Sequence, residues 1–530
     1  MERGNFSSKI GIILATAGSA VGLGNVWRFP FMTGQNGGAA FIILYFGCIL
    51  LLGIPGMVSE FIIGRHAQAN AYRAYGKMGG KLWRGVGLLG ILTSTIILGF
   101  YAVVAGWCLQ YLFASISSQL SGDANYVQQY FLSFSSDPLK PCLWGVVFVL
   151  ITHFVIVRGV QKGIERASKI LMPLLLLLLV IIVVASCLLP GAIEGIRFLL
   201  LPDFSKVTHS VLLEALGQAF FSLSLGTACL CTYASYFARG TNLLRSATQI
   251  ALLDTFIAIL AGLMIFPAAF SVGVNPDSGP SLIFITLPNV FQQAFSAMPV
   301  AGYIVSILFY ALLVFAALTS TISMHEIGTA FFHEELKLKR GSAAWILTIV
   351  CSVICVFCSL SVGAVDGIRL FGMSLMDFCD FLTAQVMLPA GALLTSIMIG
   401  WVVGKRAVRD EFTNGGTVSQ SLFTVWRFSV RYVVPLCILL IFQCVNGILT
   451  KGVLRGGGDT KFLLLADVLF LWVLSIPAGY LCGLVFHTPA FWTYLALKLD
   501  QIVKAFWCLT RLWSDKWIKR VGVEKHIEED

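Results

Sequence analysis

Charge is scarce in this 530-residue chain: Asp, Glu, Lys and Arg together make up 12% of it. An ordinary soluble domain carries about twice that share, so a solvated catalytic domain of any size is excluded. Neither a GxSxG nucleophile elbow nor an HExxH zinc motif occurs, and the chain is not expected to be an enzyme. The 14 cysteines are scattered, with close spacing only at Cys229-x-Cys231 and Cys351-x3-Cys355-x2-Cys358. Within apolar helices such residues act as small hydrophobes, so no resident cofactor, metal centre or disulfide framework is expected. The net charge of +10 would elsewhere suggest a nucleic-acid partner. Here Lys and Arg gather in short loops, which is the positive-inside pattern of a membrane protein, and no nucleic acid is expected.

Hydrophobic residues supply 58% of the chain. Apolar spans run at about 10–31, 40–63, 87–115, 143–157, 170–189, 210–237, 247–273, 301–331, 343–362, 376–403 and 430–449, with two weaker ones at 462–486 and 489–511. The expected class is an all-α polytopic membrane protein with eleven core spans and about two appended. Basic loops 64–86 and 158–169 read as cytoplasmic, while the alternate loops 116–142, 190–209, 274–300 and 363–375 hold only Lys140, Lys206, Arg197 and Arg369. This predicts a multi-pass protein of the cell membrane with its N-terminus in the cytoplasm. The first apolar segment is too long for a cleaved signal peptide and is followed at once by others.

Two spans carry material that a membrane helix ordinarily avoids. The stretch AGSAVGLGNVWRFP, Ala17 to Pro30, lies inside a 22-residue apolar segment of roughly 33 Å, which puts its glycines near the bilayer midplane. Backbone that leaves the helix in lipid must find partners in a polar cavity or in other protein. Span six, AFFSLSLGTACLCTYASYF, repeats the anomaly at the start of a second set of five spans. A solitary Gly/Ser-rich helix reads as a packing face. A matched pair of interrupted helices reads as a secondary transporter of inverted repeats with a midplane site.

On AGSAVGLGNVWRFP, NGGAAF, GIPGMVSEFIIGR, GQAFFSLSLG, TYASY and LTSTIS, residues 3–445 resemble the neurotransmitter:sodium symporter family, in particular its bacterial leucine-transporter-like members. The resemblance implies a LeuT-like fold of 5+5 inverted repeats with helices 1 and 6 broken. It implies uptake of a neutral amino acid by alternating access, the protein acting as monomer or homodimer. The substrate would be held by Ser19, Ala20, Leu23, Gly24, Phe221, Ser222 and Ser224, with the Tyr101 hydroxyl on its carboxylate. Its side chain would meet Ile97, Phe221, Leu225, Thr227, Ser320 and Met324. Thr227 stands where the leucine transporter has a bulky apolar residue, which favours a larger aromatic or branched substrate.

The same resemblance implies two co-transported sodium ions, hard cations that want oxygen ligands. One would take the Ala20 carbonyl, the Asn25 side chain, Ser222 and Asp254. The other would take the carbonyls of Gly18, Val21 and Ala316 with the hydroxyls of Thr319 and Ser320. The bland reading of these hydroxyls is helix-to-helix hydrogen bonding. Asp254 replaces the family's usual Asn, and Ala258 supplies neither serine nor glutamate. A carboxylate there brings its own negative charge, so chloride is not expected to be needed, and a protonatable Asp254 leaves proton antiport open. An outer gate is expected from Arg28 and Asp380, with Tyr101 and Phe221 beneath, and an inner latch from Arg3, Glu334, Ser235 and Tyr236.

After Gln443 the text changes. CVNGILTKGVLRGGGDTKF and the segment from Lys498 to Val521 resemble the last helices of multidrug and toxin extrusion (MATE) transporters. Basic residues flank the last core span on both sides, which one crossing cannot accommodate. The expected division is therefore a symporter domain at 1–445 and an appended MATE-like segment at 446–530. The alternatives are a MATE-type drug/cation antiporter, for which only the tail speaks, and a non-transporting amino acid sensor.

Overall fold

A computed structural model describes residues 9–120, 124–273, 282–296, 298–365, 367–370, 372–447, 450, 454–456 and 458–513. The chain is helical almost throughout; among the described residues the one sheet is a pair of two-residue strands near residue 370. It divides into two compact units, residues 1–368 with 374–431, and residues 369–373 with 432–530.

The first unit begins with a broken span, α1 (Lys9–Ala20) and α2 (Gly24–Gln35), bent by 65°. It continues with α3 (Ala39–Ala67), α4 (Lys81–Ile116), α5 (Lys140–Val157) and α6 (Val160–Cys187). The second set of five repeats the pattern. Its first member is broken into α7 (His209–Ser222) and α8 (Cys229–Ala234), followed by α9 (Leu243–Ser271). A surface helix, α10 (Leu287–Ala294), precedes α11 (Pro299–Glu335), α12 (Arg340–Ser361) and α13 (Leu375–Val402). The short α14 (Lys405–Thr413) and α15 (Gln420–Phe428) close this unit. The architecture is the expected LeuT-like one, with the two breaks in matching positions.

The local chemistry explains the helix starts. Asn242 accepts from the Arg245 N–H at the head of α9, and Ser374 does the same for Asp377 before α13, each satisfying a donor that the helix leaves free. Prolines fall in the first turns of α5, α10 and α11, where the missing N–H costs nothing. Small residues let the long helices approach closely. A Cβ on Gly106 of α4 would strike the backbone of Gly145 on α5, and one on Gly99 would strike Ile354 of α12. In lipid, where no hydrophobic force drives helices together, such close backbone contact is what holds them. The 36 residues of α4 and the 37 of α11 exceed the length needed to cross a bilayer, so both are tilted or project beyond it.

The second unit holds α16 (Val434–Gly447), α17 (Thr460–Val485), α18 (Ala490–Ala496) and α19 (Leu499–Trp513). Among the described residues, α17 is the one helix wholly within this unit that is long and apolar enough to span, and just 11% of its most apolar stretch is buried. The expected span at 489–511 is two short helices, because Lys498, Asp500, Gln501 and Lys504 interrupt its apolar run. These polar residues pair within the unit. Ser475 donates to Asp500 at 2.9 Å, Arg511 to Asp459 at 2.6 Å, and Lys504 pairs with Asp467.

Candidate functional site

The two breaks face each other, and the Ser224 hydroxyl of the second donates to the Ser19 carbonyl of the first at 3.3 Å. At the first break the freed groups find side chains. The Leu23 N–H donates to the Tyr101 hydroxyl at 3.1 Å and the Gly22 N–H to the Asn25 side-chain oxygen at 3.1 Å. At the second, Ser224 (φ 52°), Gly226 (φ 81°) and Ala228 (φ 60°) turn the chain through the left-handed region. Two of these are not glycine, so strain is held there by the surroundings. A Cβ at position 226 would collide with the Leu388 carbonyl of α13, which is why glycine stands there.

Between the breaks lies a cavity of ≈ 60 Å³. Its wall includes Ser19, Ala20, Gly24, Asn25, Ile97, Tyr101, Phe221, Ser222, Ser224, Thr227, Ser320 and Met324, all expected from the sequence. It also includes Gly22, Cys229, Ser323 and Leu388, which were not. Leu23 contributes its N–H to Tyr101 and is itself buried. Leu225 does not face the cavity; its side chain packs 3.2 Å from where a Cβ on Gly56 would stand.

The residues expected around the first sodium converge. Asn25 donates to the Asp254 carboxylate at 2.8 Å and to the Ser222 hydroxyl at 3.3 Å, and Ser222 donates to the other Asp254 oxygen at 2.7 Å. Tyr45, missed in the sequence, also donates to Asp254, at 3.3 Å. Here the Asn25 nitrogen faces the carboxylate, while its oxygen accepts from the Gly22 N–H. Ala20 lines the cavity beside this set. The second set also converges. Thr319 donates to the carbonyls of Val21 (3.2 Å) and Ala316 (2.9 Å), Ser320 donates to Val21 (3.4 Å), and a Cβ on Gly18 would lie 3.4 Å from that of Thr319. Each is a cluster of oxygens without a permanent cation, the donor set that suits a hard monovalent ion.

Glu60 of α3 is the largest omission from the sequence reading. It is 1% exposed, and its two oxygens accept from Gly226 N–H (2.8 Å) and Cys231 N–H (3.4 Å), at the start of α8. A carboxylate at a helix N-terminus satisfies free donors and opposes the positive end of the dipole. The only sequence signal was a lone acid within the apolar run GIPGMVSEFIIGR.

At one end of the cavity the Arg28 guanidinium lies 4.1 Å over the Phe221 ring, a cation–π contact, and Asp380 is the acid whose charge acts on it. At the other end the Tyr236 hydroxyl donates to Glu326 at 2.6 Å. Glu326 is fully buried and paired with Arg340, which also donates to the Ile156 carbonyl at 3.0 Å. The Ser235 hydroxyl donates to the Thr232 carbonyl of α8. Glu334 accepts from the Asn70 N–H at 2.8 Å and from its side chain at 3.0 Å. Arg3, its expected counterpart, lies outside the described residues.

The model of the sodium:neurotransmitter symporter family matches residues 3–131 and 124–451. The chain belongs to that family. Sodium-dependent transporters from other organisms agree along almost their whole length. YhdH of Bacillus subtilis is 40% identical over 449 residues, covering 84% of this chain and 98% of the relative. A transporter of Methanocaldococcus jannaschii is 31% identical, covering 92% and 97%. Among solved structures, MhsT in complex with L-phenylalanine is 41% identical with a TM-score of 0.76, covering 83% of this chain and 99% of that one. The symporter is thus a sodium-dependent secondary transporter and not an enzyme. The expected kinship of residues 446–530 with MATE transporters finds no support. The family match ends at 451, and an alignment covering 92% of 530 residues extends beyond it into the tail.

Proposed function

We propose that this symporter couples the entry of two sodium ions to uptake of a neutral amino acid with an aromatic or branched side chain. The carrying observation is the pairing of the two breaks through Ser224 and Ser19 around a cavity walled by freed backbone and hydroxyls. N–H groups at a half-helix start suit the substrate carboxylate, and carbonyls at a half-helix end suit its ammonium and the ions. MhsT, the similar solved structure, holds L-phenylalanine. Thr227, with Cys229 and Ser323 beyond it, gives the substrate side chain more room than a bulky residue would.

The N-terminus lies in the cytoplasm of a cell-membrane protein in this reading. Arg28 and Asp380 then form the outer gate and Tyr236 with Glu326 the inner one. Asp254 supplies the negative charge beside the first sodium, so chloride is not required. Residues 446–530 are an appended segment that transport does not use. Two charges moved inward gain about 4.6 kcal/mol per 100 mV of membrane potential, at about 2.3 for each, enough to drive accumulation.

Uptake of a labelled amino acid panel into proteoliposomes, with sodium or potassium outside, tests the reading. Sodium-dependent accumulation of phenylalanine, tryptophan or leucine is expected. Sodium-dependent binding without accumulation would make the protein a sensor instead.

A further inference from the structure

Outside the cavity, the most heavily bonded buried charge is Arg65, near the C-terminal end of α3. Its side chain is 3% exposed. Its Nε donates to the Glu411 carboxylate of α14 at 2.7 Å, and its remaining nitrogens reach the Glu411 and Thr241 carbonyls and, at 3.5 Å, the Asn414 side chain. Two neighbours work alongside it. Gln68 donates to the Phe237 carbonyl at 3.1 Å, and Asn414, in the left-handed conformation that ends α14, donates to the Gly240 carbonyl at 3.2 Å. All three bind the carbonyls of residues 237–241, the segment that trails α8 directly after Tyr236.

We infer that Arg65 is a positioning residue for transport: through the Thr241 carbonyl it moors the trailing segment of α8 and so keeps Tyr236 on Glu326. The partner helix is fixed independently. Phe412 of α14 stacks on Trp426 of α15 with ring centroids 4.8 Å apart, and Trp426 donates to the Pro55 carbonyl of α3 at 3.2 Å. Glu411 therefore offers an anchor with packing of its own, and the other end of the mooring is the segment after α8. Arginine suits the place because its planar fork serves several acceptors at once, which a lysine ammonium on a flexible stem does not.

The mooring is linked to sodium. The Tyr236–Glu326 bond ties the end of α8 to α11, and the same helix α11 carries Thr319 and Ser320 of the second sodium set, whose other half is the Val21 carbonyl just after α1. Sodium therefore favours the closed gate, and by reciprocity anything that loosens the gate weakens sodium. This rests on the sodium-coupled reading above.

The test is the sodium concentration giving half the maximal effect, read on purified full-length protein as thermal stabilisation and, separately, as uptake. Arg65→Lys is expected to raise it about threefold or more, the effect of shifting the gate equilibrium by a comparable factor. Glu411→Gln leaves the Thr241 bond in place and is expected to raise it less. Tyr236→Phe opens the same gate, so its combination with Arg65→Lys should fall short of the product of the two single shifts. A merely structural Arg65 would lower the melting temperature and leave the sodium dependence alone, which would overturn the proposal; so would single shifts that simply multiply. Should sodium stabilise even the wild type not at all, the transport reading fails. Amide exchange at residues 229–242 then decides the mooring alone: faster exchange in Arg65→Lys supports it and unchanged exchange overturns it.

Discussion

Asn25 and Asp254 stand 229 residues apart in sequence and 2.8 Å apart in the folded chain, the amide of the first break donating to a carboxylate of an unbroken helix. In the proposed reading this carboxylate supplies the negative charge of the first sodium site. Replacing chloride with gluconate is expected to leave uptake unchanged. Asp254→Asn should raise the sodium half-saturation about tenfold, equivalent to about 1.4 kcal/mol, and uptake that collapses in gluconate would refute the assignment.

Removal of one oxygen from the second cluster has a smaller, similar effect. Thr319→Ala deletes the hydroxyl between Val21 and Ala316. A lost bond of about 1 kcal/mol corresponds to roughly a fivefold weaker sodium dependence. Sodium titration of uptake at saturating substrate measures it.

Thr227→Met narrows the side-chain end of the cavity. Competition against a labelled substrate should show tryptophan weakened relative to leucine by about tenfold, within the 1–3 kcal/mol that pocket shape can supply. Equal weakening of both would place the side-chain pocket elsewhere.

Glu60→Ala removes the acceptor of the Gly226 N–H, at 2.8 Å, and one contact of the Cys231 N–H. At about 1–3 kcal/mol for a buried donor left without its acceptor, the thermal midpoint of the purified protein should fall clearly. Glu60→Gln, which keeps one acceptor, should fall less.

Glu411 gives the mooring a pH dependence. Burial pushes its carboxyl up, but the hydrogen bond from His66 and the charge of Arg65 outweigh this and hold it below the usual glutamate range. A depressed carboxyl stabilises the fold above its unfolded pKa, and that contribution is lost as pH falls through the lower folded value. Acid titration of thermal stability should therefore show a loss in the acidic range that Glu411→Gln removes.

Much of this was readable before any coordinates. Glycines and serines within apolar runs betrayed both breaks, because membrane helices tolerate them only where backbone is wanted elsewhere. Arg28 stood out for a related reason, as a charge that lipid penalises, whereas Thr319 and Ser320 came only from the family resemblance. What escaped were partners set by tertiary contact: Tyr45 and Glu326 look like ordinary helix residues until Asp254 and Tyr236 are brought to them. Leu225 was misplaced for a local reason. It sits between two residues of positive φ, and its side chain packs toward Gly56. In the tail, short polar motifs suggest a kinship that finds no support, and the structure pairs Asp459 and Asp467 with α19 and Asp500 with Ser475 of α17.

Asp254 receives bonds from Asn25 after the first break, Ser222 before the second and Tyr45 of α3, so three separate elements share one carboxylate. Any displacement among them changes the vibrational frequency of that group. The infrared difference spectrum between sodium and potassium buffers should therefore contain an Asp254 stretching band, identified by its absence in Asp254→Asn. The symporter would then carry a built-in optical reporter of its transport cycle, with no label attached.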